Sequence, residues 1–255
     1  MEEKQKINLN PKAHLFLTSL PGGYYYKNGK MATDGFFQIN DFIQNLKNIW
    51  KNKSKILFIT ACPNNRNASK QIMGVIEQSL KIANISFDYM DLCDNYKYNQ
   101  KLDNYEVIIL GGGHVPTQNK FFEKINLAEK IKSFEGIIIG VSAGSMNSAD
   151  EVYAQPEETG EAIDPNYKRF LKGLNLTKFQ IIPHYSSIKD KKLDGLRIIE
   201  DISFDDSVGR CFYAFPNGSY IYQTKDEAFF YGEGYKIKDK KLEKICENGE
   251  KIKLY

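Results

Sequence analysis

The chain has 255 residues, against about 150 for a typical domain, with 42% hydrophobic and 26% charged residues, a mix that excludes disorder, collagen-like repeats and coiled coil. Thirty-five Lys and Arg against 32 acidic residues leave a net charge of +3 that is spread along the chain, so no nucleic-acid partner is indicated. No stretch reaches the roughly 18 apolar residues of a membrane span, and the opening MEEKQKINLN is too charged for a secretory signal. These features predict a cytoplasmic protein, away from membranes, with one domain over 1–255 and a flexible segment over 1–12.

Apolar runs of strand length alternate with stretches of helical period, the pattern of β-α-β units around a mainly parallel sheet with helices on both faces. Strands are predicted at Leu15 to Ser19, Lys55 to Ala61, Val107 to Leu110 and Ile137 to Val141. Helical spacing links Phe42, Leu46, Ile49 and Trp50, then Ile72, Val75, Ile76, Leu80 and Ile82, then Phe121, Ile125, Leu127 and Ile131. The runs VIIL and IIIGV do not alternate, as expected of central strands covered on both faces. Leu193, Leu196, Ile199 and Ile202 suggest a further helix. Short strands follow at Cys211 to Phe215, Tyr220 to Gln223, Ala228 to Tyr231 and Tyr235 to Ile237, with turns at Pro216-Asn217-Gly218 and Gly232-Glu233-Gly234. They read as an antiparallel meander closing one edge of the sheet, with Lys238 to Lys244 a solvated hairpin.

The four cysteines, Cys62, Cys93, Cys211 and Cys246, form no C-x-x-C pair and read as buried free thiols. The three histidines have no metal-ligand spacing, so no metal or cofactor is expected. The sharpest signal is Gly140-Val141-Ser142-Ala143-Gly144, between a buried strand and a segment able to start a helix. That is the context of a nucleophile elbow, where a strained turn exposes a serine hydroxyl and small flanking residues avoid collisions. The Ala143 N–H would then face a developing oxyanion. Gly111-Gly112-Gly113-His114 follows the strand Val107 to Leu110, where α/β folds bind ligands, and the Gly113 N–H could be a second donor. Neither a P-loop nor a dinucleotide fingerprint is present. His184, in Ile181-Ile182-Pro183-His184-Tyr185 at a strand end, is the candidate base; His114 is its rival, and His14 precedes the first strand.

GGGH after one strand, GVSAG after the next and IPHY after a third resemble the peptidase E and cyanophycinase family, serine peptidases on a glutamine-amidotransferase-like fold. The resemblance runs from about Leu15 to the tail. It implies Ser142 as nucleophile, His184 as base, the amides of Gly113 and Ala143 as oxyanion donors, short peptides as substrates and no cofactor. It also implies a homodimer paired through exposed helices, although no segment marks the dimer face. Where dipeptidases of the family carry an orienting glutamate, this chain has Asn217 in Phe215-Pro216-Asn217-Gly218. The third catalytic group is then either Asn217 or an acid among Glu157, Glu158, Glu161 and Asp164, and the acidic loop is favoured because a serine nucleophile gains from a charged partner. Where those dipeptidases have a Thr-Arg clamp for a substrate carboxylate, this chain reads Lys191-Lys192-Leu193-Asp194-Gly195-Leu196-Arg197. His114 and Arg197 are the candidate substrate contacts. The competing reading is a catalytically impaired member of the fold that binds a small molecule or partner. Glutamine amidotransfer needs a cysteine at position 142, and an α/β-hydrolase needs an acid between serine and histidine, a role only Asp164 could take.

Overall fold

The structure is a computed structural model, described for residues 7–255. The first third contains β1 (His14–Thr18), the hairpin β2 (Tyr25–Lys27) and β3 (Lys30–Ala32), α1 (Phe42–Ile49), β4 (Ser54–Ile59), α2 (Arg66–Ile82) and β5 (Phe87–Cys93). Asn65 starts α2 by accepting the Ala68 N–H at 3.0 Å. Next come β6 (Val107–Leu110), α3 (Val115–Lys124), α4 (Leu127–Lys130), β7 (Ile137–Val141) and α5 (Ala143–Met146). The helical pattern from Phe121 to Ile131 splits in two because Asn126 turns left-handed, at φ 52°. The remainder comprises β8 (Glu151–Tyr153), β9 (Phe170–Lys172), β10 (Gln180–Ile182), α6 (Tyr185–Ile188), β11 (Lys192–Leu193), β12 (Leu196–Arg197), α7 (Phe204–Asp206), β13 (Cys211–Ala214), β14 (Tyr220–Gln223), β15 (Ala228–Tyr231), β16 (Gly234–Lys238), β17 (Lys241–Cys246) and β18 (Lys251–Lys253).

Eight strands form the central sheet in the order β18-β15-β14-β1-β7-β6-β4-β5. The five from β1 to β5 are mutually parallel, and β14, β15 and β18 extend one edge antiparallel. The continuously apolar strands are covered on both sides. Ile138 joins a core with Phe121 and Phe122 of α3, while Ile137, Ile139 and Val141 face Phe42 and Leu46 of α1 and Ile76 and Leu80 of α2. Among the described residues no helix is long and apolar enough to cross a membrane.

Several expectations need correction. Residues 1–6 of the expected flexible segment lie outside the described residues, but 7–12 are tied down: Leu9 is buried, and Asn8 donates its N–H to Asn175 O and its amide to Leu174 O. The expected helix from Leu193 does not start there. Asp194 and Gly195 take left-handed conformations and turn β11 back on β12, so a π-helix occupies only Ile198–Ser203. The C-terminal strands do not form one meander either. A second sheet, β10-β13-β16-β17, takes β13 and β16, while β14 and β15 join the central sheet. Strand β10 therefore does not neighbour β7; it pairs in parallel with β13.

Candidate active site

The strand order β1-β7-β6 aligns three carboxyl ends, and the residues that follow them, Ser19, Ser142 and Gly111 to Gly113, lie side by side. Ser142 sits at φ 49°, ψ −111°, outside the regions a non-glycine residue ordinarily occupies. Its N–H donates to Thr18 O at 3.0 Å, and the Ser145 hydroxyl donates to the same oxygen at 2.8 Å, so β1 clamps both sides of the turn. The flanking glycines are required by space. A methyl at Gly144 would come within 2.1 Å of Leu110 O, and one at Gly140 within 2.8 Å of Ser145 N. The glycine loop reaches the serine closely enough that a Cβ on Gly112 would lie 3.5 Å from Ser142 Cβ. Among the described residues neither the Gly113 nor the Ala143 N–H makes a hydrogen bond. Ala143 stands at the start of α5, where helix N–H groups lack internal partners.

His184 arrives from the second sheet. Its left-handed backbone, at φ 58°, turns the chain sharply after β10, and its Nε2 lies 2.8 Å from Ser142 Oγ. Its Nδ1 lies 2.8 Å from Asn217 Oδ1, held out by the turn between β13 and β14. A fourth residue, unforeseen from the sequence, completes the set. The buried Ser19 hydroxyl donates to Asn217 Oδ1 at 2.8 Å and accepts the His184 N–H at 2.8 Å, so it ties together the two residues that carry the imidazole. Burial lowers the His184 pKa, the Asn217 hydrogen bond acts to raise it, and Lys191 lowers it further. The neutral ring is the form best suited to accept a proton at Nε2.

Among the described residues no acid of the 157–164 loop hydrogen-bonds the His184 ring, whose nitrogens meet Asn217 and Ser142. Glu161 accepts from His114 Nε2 at 2.8 Å and from the N–H groups of Glu157 and Glu158, and Asp164 caps the Asn166 N–H. His114 has its other nitrogen 2.7 Å from Thr117 Oγ1, so both ring nitrogens are occupied away from Ser142. The Glu161 carboxyl is held below its usual range: burial opposes this, but the two backbone N–H groups and His114 outweigh it. His114, Glu158 and Glu161 bring ligand atoms within 4.8 Å of one another, but both His114 ring nitrogens are already hydrogen-bonded, so a metal there would have to displace one of those contacts. Glu157 is exposed on the wall of the cleft beside Ser142. Desolvation there, with Glu161 and Glu158 nearby, pushes its carboxyl up to about 7. Arg197 stays outside the cleft, exposed and paired with Asp201; Lys191 is the cation that lines it. Asp194 accepts the N–H groups of Gly160 and Ala162 and so fixes the acidic loop. All four thiols are free; Cys93 and Cys246 are buried, and Cys62 lines the cleft.

The cleft around Ser142 has a volume of about 1100 Å³ and lies at the carboxyl ends of the parallel strands, where α/β sheets bind ligands. Residues 28–230 match the model of peptidase family S51. The chain belongs to peptidase family S51. It is a serine-type peptidase, and the elbow and cleft lie within a fold shared with solved structures. A peptidase from an acI-B1 actinobacterium superposes with a TM-score of 0.60 at 16% identity, covering 95% of this chain and 97% of its own. A candidate peptidase E protein from Listeria monocytogenes EGD-e superposes with a TM-score of 0.54 at 17% identity, covering 92% and 99%. No curated protein matches the sequence. At these identities the superpositions establish the fold, and the chemistry of this S51 peptidase rests on its own residues.

Proposed function

We propose that this S51 peptidase hydrolyses short peptides with Ser142 as nucleophile and His184 as general base, oriented by Asn217 and Ser19. The 2.8 Å contact between Ser142 Oγ and His184 Nε2 carries the reading. In the mechanism Ser142 Oγ attacks the scissile carbonyl as its proton passes to Nε2. The carbonyl oxygen becomes an anion, and the unused N–H groups of Gly113 and Ala143 stabilise it without reorganisation at the moment of reaction. The imidazolium then gives its proton to the leaving amine, leaving an ester on Ser142. Water, deprotonated by the same nitrogen, hydrolyses that ester and restores the serine.

Asn217 keeps the ring oriented through Nδ1–H, though a neutral amide stabilises the imidazolium less than a carboxylate would. This predicts turnover below that of a peptidase with a charged third residue. A fluorophosphonate probe should label Ser142 covalently, as located by mass spectrometry, and Ser142→Ala should abolish both labelling and peptide hydrolysis with thermal unfolding unchanged. Labelling elsewhere, or full hydrolysis by Ser142→Ala, would refute the assignment.

A further inference from the structure

The hairpin β2–β3 roofs one arm of the Ser142 cleft, and its two faces differ. Tyr26 lies directly across from Met31 in the ladder, Tyr25 from Ala32 and Lys27 from Lys30. Alternation therefore puts Tyr24, Tyr26 and Met31 on one side, and all three line the cleft. The opposite side carries Tyr25, Lys27 and Lys30, with the Tyr25 hydroxyl donating to Asp34. Across the arm, Ile72, Val75 and Ile76 of α2 form the facing wall, with Phe36 at its side. Tyr24 is 50% exposed and Tyr26 68% exposed, so their rings present apolar area that the fold itself does not cover.

The base of the hairpin is fixed. Buried Thr33 donates to Gly23 O at 2.6 Å and accepts the Gly35 N–H at 2.9 Å, and a methyl on Gly22 would meet Gly35 O at 2.4 Å. The backbone that carries the aromatic residues is thus anchored at its base before any ligand arrives, which lowers the ordering cost of binding. Charge in the cleft is sparse: among its described lining residues only Glu157 and Lys191 are charged, and none is an arginine able to grip a carboxylate in two places.

We infer that the arm between the hairpin and α2 is a subsite for a large apolar side chain, phenylalanine above all, next to the scissile bond of the peptide. The inference rests on the proposed function for the reaction itself, and the subsite is continuous with the nucleophile because the same cleft holds both. A benzyl side chain entering the arm leaves water for Tyr26, Met31 and Ile72, whereas an aspartyl side chain there loses hydration with no guanidinium to replace it.

The test is a set of short peptides, identical except for Phe, Gly or Asp placed in turn on either side of the scissile bond. On one side the Phe peptide should exceed the Gly and Asp peptides in kcat/KM on the order of 10- to 100-fold. Tyr26→Ala should collapse the Phe to Gly ratio to a few-fold, Tyr26→Phe should retain it, and Tyr25→Ala, on the outer face, should leave it unaltered. An Asp preference, or a ratio indifferent to Tyr26→Ala, overturns the subsite. If no peptide is cleaved and Ser142 takes no probe, the proposed function fails instead. Calorimetric binding of the uncleaved peptides to Ser142→Ala then decides the subsite: tighter binding of the Phe peptide upholds it, and equal or absent binding overturns it.

Discussion

A serine hydroxyl has a single proton, and at Ser19 its destination sets the tautomer of the proposed base, His184. One Ser19 lone pair holds the His184 N–H, and of the two acceptors in reach Asn217 Oδ1 at 2.8 Å is closer than His184 Nδ1 at 3.4 Å. With the Ser19 O–H donated to Asn217 Oδ1, that oxygen is fixed as the carbonyl facing Nδ1, which must carry the imidazole hydrogen, and Nε2 is left to accept from Ser142. Without that hydroxyl the amide can rotate and offer its NH2 to Nδ1, which selects the wrong tautomer. Ser19→Ala should therefore lower kcat on the order of 10- to 100-fold with KM little changed. The double variant Ser19→Ala with Asn217→Asp should recover most of the loss, because both carboxylate oxygens accept; steady-state kinetics of the three proteins on one peptide checks this. No recovery would make Ser19 merely structural. The same logic governs pH. Burial lowers the His184 pKa, so kcat/KM should rise with pH to a plateau with its midpoint below about 6.5. Asn217→Asp should move that midpoint upward, since the carboxylate favours the imidazolium. At this scale Ser142, Ala143, Gly113 and His184 were legible because glycines and strand ends mark them. Asn217 was visible only as an alternative to the acidic loop; it is Asn217 that hydrogen-bonds His184 Nδ1, while Glu161 is engaged with His114 and two backbone N–H groups. Ser19 carried one faint mark, a buried strand ending in two hydroxyl residues, Thr18 and Ser19.

Hydrophobic period identified the parallel strands β1, β4, β6 and β7 and the helices α1 and α2, because each has one environment along its length. It failed where neighbours decide. Strand β5, with its mixed burial, carries Asp88 and Asp91 among its apolar residues and offers no clear alternation. Leu193 and Leu196 have helical spacing but lie on a two-residue hairpin that exists because Asp194 turns left-handed and caps the loop at Gly160 and Ala162. That loop carries an electrostatic cost of its own. Glu157, partly desolvated on the cleft wall and near Glu161 and Glu158, has its pKa raised from 4.5 to about 7 on folding. A carboxyl whose folded pKa is raised is neutral in both states below about 4.5; as pH climbs through 7 the folded form resists ionisation and stability falls. Glu157→Gln should thus match the parent in Tm at pH 4 and exceed it at pH 8, the gap opening between about 4.5 and 7. Differential scanning calorimetry across that range checks it; equal Tm at both ends would mean that water in the cleft fully screens the three carboxylates.

The two sheets each contribute part of the site: Ser142 and Ser19 end strands of the central sheet, His184 follows β10 of the second, and Asn217 is in the turn that leads from β13 of the second sheet to β14 of the first. The active geometry therefore exists only while the sheets are docked. What docks them is a shared core. Ile181 and Phe215 from the second sheet pack into the cluster that holds Leu15, Leu17, Ile138 and Phe230 of the first, with Phe215 edge-on to Phe230 at 5.3 Å. The other face of the second sheet buries Ile182, Phe212 and Ile237 in a smaller cluster, where Phe212 stacks on Tyr153 at 4.2 Å. Because the shared cluster is the larger, separating the sheets would expose more apolar surface than the smaller cluster could retain, and we expect residues 7–255 to unfold as one unit. The chain's one tryptophan makes this measurable. Trp50, at the end of α1, packs on the central sheet's face away from the second sheet, its indole donating to Ser86 O at 2.7 Å. Its fluorescence follows the central sheet, whereas fluorophosphonate labelling of Ser142 requires His184 and hence both sheets. In a urea titration the two signals should share one midpoint and one slope. Labelling lost at clearly lower urea than the Trp50 signal would mean that the second sheet undocks alone, and that the proposed catalytic residues are joined by a seam weaker than the core beneath it.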